Sequence, residues 1–239
     1  MEKRKLQGFS RKRLKVKEII TSPWLRIILI FILEKMYQDI LSDHQKELLQ
    51  LIGLFKREYM LVGGTAIALQ VGHRRSIDFD LFKKSRINKT SILKKIKSAK
   101  YSWQLLYNDG DSLDILINEV KITFMQYPYA IEGKPSKEIG IKMPDLLTLA
   151  AMKFYALGRR AKWKDYVDIY FLIRDYFNIP EVSGKANQLF GSAYSEKLFR
   201  QQIAYFEDID YSEPIDWIVQ PVSEETIKSE LQEYAVIFA

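Results

Sequence analysis

Two acidic residues, Asp78 and Asp80, stand two positions apart in the segment SIDFDLF, residues 76–82. The alternation of polar and apolar residues in this segment predicts a β-strand, in which alternate side chains lie on the same face. Two carboxylates on one face repel each other, and each is costly to desolvate. A divalent cation between them would offset both costs, so the pair predicts a metal site. The alternative is an edge strand whose acidic face meets water.

The composition restricts the metal that such a site can hold. The chain has no cysteine and only two histidines, His44 and His73. Disulfides, thiolate zinc sites, cysteine nucleophiles and multi-histidine metal sites are therefore excluded. Oxygen ligands remain, and they favour Mg²⁺ or Mn²⁺.

A candidate phosphate-binding turn precedes the acidic pair. The apolar run YMLV (59–62) predicts a buried strand that ends at Gly63 and Gly64, and Thr65 is predicted to cap the short helix that follows. A helix that begins here presents free backbone N–H groups and the positive end of its dipole, and the glycines let a phosphate approach closely. The Thr65 hydroxyl would cap the helix or donate to a phosphate oxygen. The alternative is a tight strand–helix turn without a ligand.

The residues between the glycines and the acidic pair include His73, Arg74 and Ser76. Arginine is suited to bidentate phosphate contacts, so Arg74 is predicted to bind a nucleotide, with Ser76 beside it. A solvated turn or an ion pair with nearby acids is the alternative. His73 is predicted to be structural or a hydrogen-bond donor rather than a general base. An anion-binding turn followed by a metal-type acidic pair is a layout for phosphoryl transfer, which needs both parts.

A small mixed sheet and a set of helices must position these residues. The periodicity of apolar residues predicts helices over 36–57, 65–72, 88–100, 144–158 and 162–176, and strands over 59–62, 76–82, 102–107, 113–117 and 121–127. The segment IPEVSG (179–184) is predicted to break the helical region, and further helices follow it. The fold class is therefore α+β, with a mixed sheet up to about residue 135 and an α-helical domain docked against it.

A second group of charged residues lies in the predicted helices of the C-terminal half. Asp165 and Asp168 are three positions apart and therefore lie on one helical face. Lys153 lies in the middle of an apolar helix, where an unpaired amine would be costly. Lys153 therefore needs an anion, which would be Asp165, Asp168 or a nucleotide triphosphate.

These residues resemble a family. The stretch LVGGTAIALQVGHRRSIDFDLF (61–82) resembles the signature of the AbiEii/AbiGii-type nucleotidyltransferase toxins, a branch of the DNA polymerase β-like nucleotidyltransferase superfamily. The stretch LLTLAAMKFYALGRRAKWKDYVDIYFLI (146–173) is similar to the family's helical motifs. The matching positions there are Lys153, Arg159 or Arg160, Lys164, Asp165 and Asp168. The resemblance covers roughly residues 36–175.

The resemblance implies a nucleotidyltransferase-fold mixed sheet with flanking helices, followed by an α-helical C-terminal domain. It implies Mg²⁺- or Mn²⁺-dependent transfer of a nucleoside monophosphate from an NTP to a hydroxyl acceptor. The implied catalytic residues are Asp78, Asp80, Lys153 and Asp165, with Asp78 and Asp80 as metal ligands; the implied nucleotide-binding residues are Gly63, Gly64, Thr65, Arg74, Ser76 and Asp168. The family's toxins imply RNA, especially tRNA, as acceptor, a cognate antitoxin as partner, and a role in a toxin–antitoxin or phage-defence system.

One residue of the superfamily pattern is missing. A third carboxylate, which helps to activate the attacking hydroxyl, is expected on the strand KITFMQY, where Thr123 and its same-face neighbours are not acidic. Asp114 or Glu119 would have to replace it. This departure keeps open a catalytically weak nucleotide- or RNA-binding module, beside a transferase that acts on a protein or a small-molecule hydroxyl.

The net charge of +7 belongs to the N-terminus, because residues 1–17 hold eight Lys/Arg and one acid, and the remaining residues sum to zero. Residues 83–100 carry eight Lys/Arg and no acid, which predicts either a guide for a polynucleotide or a solvated helix face. The apolar run 24–33 is about half a membrane span, so we expect a cytoplasmic protein without stable membrane insertion. The expected divisions are an N-terminal extension (1–35), a nucleotidyltransferase core (36–135) and a helical domain (136–239).

Overall fold

A mixed sheet of seven strands organises the described part of the chain, which in this computed structural model comprises residues 36–157 and 159–237. The strands are β1 (Met60–Val62), β2 (Phe79–Lys83), β3 (Gln104–Asn108), β4 (Ser112–Ile117), β5 (Val120–Gln126), β6 (Lys134–Pro135) and β7 (Lys142–Met143). Their order in the sheet is β3-β4-β5-β2-β1-β7-β6. Strand β2 runs antiparallel to β1 and parallel to β5, so the sheet is mixed as predicted.

Helices flank the sheet and form the C-terminal part of the described chain. They are α1 (Asp43–Gly53), α2 (Gly63–Val71), α3 (Lys89–Ser98), α4 (Leu146–Leu157), α5 (Trp163–Asp175), α6 (Ile179–Phe190), α7 (Glu196–Ile203) and α8 (Glu224–Val236). Polar side chains begin several of them. Ser42 and Gln45 form a reciprocal capping box at the start of α1, and Asn88 accepts a hydrogen bond from the backbone of Ser91 at the start of α3.

The two faces of the sheet differ in what they carry. Phe79, Ile122 and Phe124 lie on one face of β2 and β5 and are fully buried. Phe55, just after α1, packs edge-on against Phe124 with ring centroids 4.8 Å apart. Side chains alternate along a strand, so the residues between these apolar positions, Asp80 among them, lie on the opposite face. That face is the one on which polar chemistry can occur.

The helices that follow the sheet pack on one another. Helix α4 contacts α5, α6 and α7, and it also contacts α2 beside the sheet. Phe154 of α4 stacks on Phe199 of α7 with ring centroids 3.7 Å apart, and Tyr155 stacks on Phe190 at 4.1 Å. The α4–α2 contact places the C-terminal helices next to the predicted phosphate-binding turn.

Most predicted elements are present with shifted ends, but the segment IPEVSG is not a break. It forms the first turns of α6, with Pro180 in the first turn. A proline there lacks only an N–H group that would have no helical partner, so it starts a helix rather than interrupting one. The predicted helix over 36–57 is shorter, because Ser42 caps α1 after a separate 3₁₀ turn, Gln38–Ile40.

Strands β4 and β5 form a hairpin. Its turn residues Asn118 and Glu119 have φ values of +48° and +63°. Positive φ at both central residues is typical of the two-residue turns whose twist matches that of the flanking strands. The hairpin fixes the register in which β4 lies beside β5, and this register decides which acidic side chains share a face.

None of the helices in the described ranges is long and apolar enough to cross a membrane. The apolar run 24–33 and the predicted extension 1–35 lie outside the described residues. Residues Tyr37–Ala239 form one compact unit. A boundary near residue 135 within that unit stays a prediction.

Candidate active site

The acidic pair lies on the sheet face that is not filled by apolar side chains. Asp80 in β2 is paired with Val62 of β1 and with Thr123 of β5, so these three side chains share a face. Asp78 lies directly before β2 and is about a quarter exposed, with its carboxylate 3.9 Å from the ammonium of Lys121. Burial, and then the charge of Asp78, raise the pKa of Asp80. A raised pKa of this origin marks two carboxylates that are held together at a cost.

Gly63 brings the start of helix α2 against this pair. Its φ is +72°, and a Cβ atom built on it would lie 2.0 Å from Oδ2 of Asp80. Gly64 leaves similar room, since a Cβ there would lie 2.9 Å from Nη2 of Arg74. The glycines therefore allow the first backbone N–H groups of α2, which lack helical partners, to lie beside Asp80 and Arg74. Phosphate binding at this turn stays a prediction.

Thr65 has a different role from the predicted helix cap. Helix α2 begins at Gly63 with Val62 as its N-cap residue, and no side chain caps it. The Thr65 hydroxyl instead hydrogen-bonds to the carbonyl of Asp78 and lies 3.0 Å from the Ser76 hydroxyl. Thr65 is buried, so its side chain ties the segment before β2 to α2 and fixes the distance between the cradle and the acidic pair.

Arg74 is bound within the protein rather than extended into solvent. Its guanidinium makes two hydrogen bonds to Asp168, at 2.7 and 2.8 Å, and His73 Nε2 lies 2.8 Å from the same carboxylate. Burial alone would raise the pKa of Asp168, but the charges of Arg74 and Lys153 hold it well below its usual range. Burial lowers the pKa of His73, against the effect of its hydrogen bond to Asp168.

Lys153 has two of the anions that its burial requires. Its ammonium lies 2.7 Å from Asp165 and 2.9 Å from Asp168, and all three side chains are buried. Burial would raise the pKa of Asp165, yet the charges of Lys153 and Arg160 lower it. Arg160, half-exposed, donates to Asp165 at 2.9 Å. Of the two arginines at the matching positions, Arg160 joins the cluster, whereas the guanidinium of Arg159 lies over the ring of Tyr155.

The position expected for a third carboxylate is occupied by Thr123. It pairs with Asp80 on one side and with Asp114 on the other, so all three lie in one row on one face. Asp114 is therefore two strands from Asp80, about 10 Å between backbones. Glu119 is in the hairpin turn, exposed, and 3.5 Å from His44. Of the two proposed replacements, Asp114 shares the face of Asp80 and Glu119 belongs to the turn.

The donor set of Asp78 and Asp80 fits an oxygen-preferring cation. Among the described residues there is no group of three or more His, Cys, Asp or Glu side chains that could hold a metal ion. Two carboxylates that repel each other are suited to a cation whose remaining ligands are phosphate oxygens or water. Asp78 and Asp80 would therefore hold a metal ion only when a bound substrate supplies further ligands.

Sequence reasoning missed the role of Lys121. Its ammonium is the cation nearest to Asp78, and it lies on the same strand face as Thr123. The signal was available, because Lys121 and Thr123 are two positions apart in one strand. Within the basic segment 83–100, Lys95 lies over the ring of Phe55, on the opposite sheet face from Asp80. Its role as a guide for a polynucleotide stays a prediction.

The sequence of the chain is similar to a known protein family and to a known bacterial protein. Residues 100–217 match the family model described as "Nucleotidyl transferase AbiEii toxin, Type IV TA system". An uncharacterized protein of Aquifex aeolicus (strain VF5) is 30% identical over 185 residues, which is 74% of this chain and 88% of that protein. The chain belongs to the AbiEii nucleotidyl transferase toxin family.

Solved structures show the fold of this AbiEii-family chain. MenT4, a nucleotidyltransferase toxin from Mycobacterium tuberculosis H37Rv, superimposes with a TM-score of 0.55 at 14% identity over 80% of each chain. A protein from H. pylori, described as a nucleotidyltransferase, superimposes with a TM-score of 0.53 at 17% identity, covering 81% of this chain and 92% of the other. The predicted nucleotidyltransferase fold with flanking helices and a helical C-terminal region is confirmed.

Proposed function

We propose that this AbiEii-family protein transfers a nucleoside monophosphate from an NTP to a hydroxyl acceptor on RNA, such as a tRNA end. The observation that carries the proposal is the contact between the start of α2 and the acidic pair. Gly63 leaves no space for a Cβ atom against Asp80, so the start of α2 lies against a carboxylate of the acidic pair. This supports one site in which N–H groups bind phosphate and carboxylates bind a metal ion. Family membership supports nucleotidyl transfer; the acceptor and the residue roles are part of the proposal.

The residues divide the work of the reaction. The N–H groups of Gly63, Gly64 and Thr65 would bind the β- and γ-phosphates. Asp78 and Asp80 would hold Mg²⁺ or Mn²⁺, which supplies charge neutralisation to the phosphates when bound. The remaining residues act through their charge or position. They are Lys153, Asp165 and Arg160 beside the nucleotide, and Arg74, Ser76 and Asp168 behind it.

The proposed transfer needs no reactant other than the NTP and the acceptor hydroxyl. The acceptor oxygen attacks the α-phosphorus, and the bond from that phosphorus to the oxygen that bridges to the β-phosphate breaks. Pyrophosphate leaves, and the proton of the acceptor hydroxyl passes to a base. Asp114 is the acidic residue that lies in the row of Asp80 on the β4 side of the sheet, so we assign it, directly or through one water, the role of this base.

The biological setting of the proposal follows from the family. We propose that the protein is the toxin of a toxin–antitoxin or phage-defence system, that a cognate antitoxin restrains it, and that it works in the cytoplasm, where NTPs and RNA are available. The matched family model names a toxin of a type IV system, which supports this role.

The direct test is transfer of label. The purified full chain is incubated with each α-labelled NTP, Mg²⁺ and total RNA, beside Asp78→Ala. Asp43→Ala, an exposed acid paired with Lys46 on α1, is the matched control. We expect label in RNA with the wild type and with Asp43→Ala, and none with Asp78→Ala. Label in protein or in a small molecule instead of RNA would overturn the proposal that RNA is the acceptor. If no label is transferred although NTP binding is intact, the proposal that the protein is an enzyme is overturned.

A second candidate function is a nucleotide- or RNA-binding module with little catalysis. Thr123 favours it, since a hydroxyl occupies the position of the third carboxylate. The two candidates differ in what Thr123→Asp does. A binding module limited by this one residue gains transfer activity in the variant, whereas an enzyme that already uses Asp114 loses activity in Asp114→Asn and gains little from Thr123→Asp.

A further inference from the structure

An aromatic cavity lies on the same sheet face as the acidic pair, and neither the motifs nor the proposed catalytic roles use it. Its volume is about 210 Å³. Six of its lining residues are Met60, Val62, Phe82, Tyr127, Tyr129 and Met152. The lining is therefore mostly apolar and aromatic, with Lys84 and Glu132 as its charged members.

The strand register places the cavity one step from the acidic pair. Val62 is the β1 partner of Asp80, and Met60 is the partner of Phe82. Phe82 follows Asp80 by two positions, which is about 7 Å along a strand on the same face. Tyr127 follows β5 and donates its backbone N–H to the carbonyl of Lys83. Its side chain therefore lies next to Phe82, on the sheet face that also carries Asp80. A ligand bound at Asp80 can therefore extend directly into the cavity.

The aromatic rings in the cavity are held by their neighbours. Phe82 and Tyr127 lie with ring centroids 5.2 Å apart, and Tyr127 meets Tyr129 edge-on at 5.1 Å. Tyr129 in turn packs against Tyr155 and Phe190 of the C-terminal helices. Rings fixed in this way present faces or edges to a planar ligand without a loss of side-chain entropy on binding.

We infer that this cavity receives the nucleobase of the NTP substrate, an inference that rests on the proposed function. The cavity lies at the end of β1 and β2 that holds Met60 and Phe82, whereas Gly63 follows Val62 at the other end of β1. Thr123 and Asp114 extend the row of Asp80 across the sheet. The triphosphate at Gly63 and the base at Tyr127 then flank the acidic pair, and the ribose spans the step between them. An acceptor base would instead be expected on the Asp114 side.

Two variants test the cavity from opposite directions. Tyr127→Leu removes a ring, and Ala130→Trp fills the cavity from an exposed loop position that also lines it. Tyr107→Leu, an exposed ring on the edge strand β3, is the matched control. The measurement is the Kd of the full chain for each NTP and for inorganic tripolyphosphate, in Mg²⁺ and without RNA, with circular dichroism and thermal melting to show that each variant is folded.

We expect both cavity variants to weaken NTP binding by roughly 5- to 150-fold, the range for the loss of a base-stacking ring, and to leave tripolyphosphate binding unchanged. The control should match the wild type. If tripolyphosphate binds and NTP affinity is unaltered in folded Ala130→Trp, the cavity inference fails and the proposed function stands. If neither NTP nor tripolyphosphate binds the wild type, the proposed function itself fails. Unaltered NTP affinity with a raised KM for RNA assigns the cavity to the acceptor and also overturns the inference.

Discussion

Gly63 shows how a residue without a side chain can define a site. Its positive φ and the 2.0 Å approach of a built Cβ to Asp80 are independent reasons for glycine. Either a changed backbone or a displaced carboxylate would separate the N–H groups of α2 from the acidic pair.

We expect Gly63→Ala to abolish transfer activity and to destabilise the fold by about 1–3 kcal/mol, because alanine tolerates neither the φ of +72° nor the contact with Asp80. Gly110→Ala is the matched control, since a Cβ there meets nothing within 4 Å. Label transfer and urea unfolding measure the two effects. Full activity in Gly63→Ala would remove the α2 start from the mechanism.

Asp114 allows a second test at single-residue scale. It is the acid in the row of Asp80 and Thr123, so Asp114→Asn should lower kcat by about 10²- to 10⁴-fold, the usual contribution of a general base, with little change in the NTP Kd. Asp109→Asn, in the exposed turn between β3 and β4, should have no such effect. A kcat unchanged in Asp114→Asn rejects the base assignment.

Asp168 joins three elements that are distant in sequence. It lies in α5, accepts from Arg74 and His73 in the segment between α2 and β2, and contacts Lys153 of α4. Since Asp168 is fully buried, its loss would leave two buried cations with fewer partners. The position of the segment between α2 and β2 therefore depends on the C-terminal helices.

Asp168→Asn should destabilise the protein by about 3–5 kcal/mol in urea unfolding at neutral pH, as expected for one broken partner of a buried ion cluster. Asp175→Asn, which breaks the partly exposed pair with Arg174, should cost no more than about 1 kcal/mol. Equal costs for the two substitutions would show that the buried cluster contributes no more than a surface pair.

The same cluster predicts a pH dependence with a defined sign. The pKa of Asp168 is far below its ordinary value in the folded chain, so its contribution is present above the ordinary Asp pKa of about 3.9 and is lost as the pH falls through the folded value. The stability difference between wild type and Asp168→Asn should therefore stay constant from pH 8 to pH 5 and shrink below about pH 4. A difference that grows on acidification would contradict this assignment.

Local pattern predicted the elements well where it was strong. The alternation in SIDFDLF and the Gly63-Gly64 stop predicted β2 and the end of β1, although β2 begins three residues later and α2 two residues earlier than predicted. The burial of Lys153 in an apolar helix predicted its anionic partners. The pattern of neighbouring residues predicted neither the order of the strands in the sheet nor the pairing of Arg74 with Asp168. Arg74 and Asp168 are 94 residues apart, and such contacts depend on how whole helices and strands pack. The sequence did not predict the aromatic cavity, because Tyr127 and Tyr129 lie after β5 in a segment that shows no helical or strand periodicity.

At the scale of the whole molecule, the excess positive charge and the compact unit that holds the candidate active site lie in different parts of the sequence. The excess of basic residues lies in residues 1–17, whereas residues Tyr37–Ala239 form their own compact unit. A chain that begins at Met36 should therefore fold with an unchanged Tm.

That shortened chain should also bind RNA more weakly, and with a smaller slope of log K against log salt, because cations that release counterions have been removed. The comparison is a salt series of Kd measurements on the full and shortened chains. An unfolded shortened chain would make residues 1–35 part of the domain, and an identical salt slope would exclude the basic tail from RNA binding.

The neutralisation of Arg74 and Lys153 by aspartates inside the protein has a consequence for how the site fills. Their charge is already balanced, so Lys121 and Arg160 are the nearby cations that offset the repulsion between Asp78, Asp80 and a polyanionic nucleotide. A metal cation that accompanies the nucleotide should therefore strengthen its binding. Nucleotide and Mg²⁺ are then linked ligands with a shared coupling free energy, and each must raise the affinity of the other by the same factor. Calorimetric titration of either one at several fixed concentrations of the other measures this factor, and the occupancy of the protein by NTP should follow the free Mg²⁺ concentration around it.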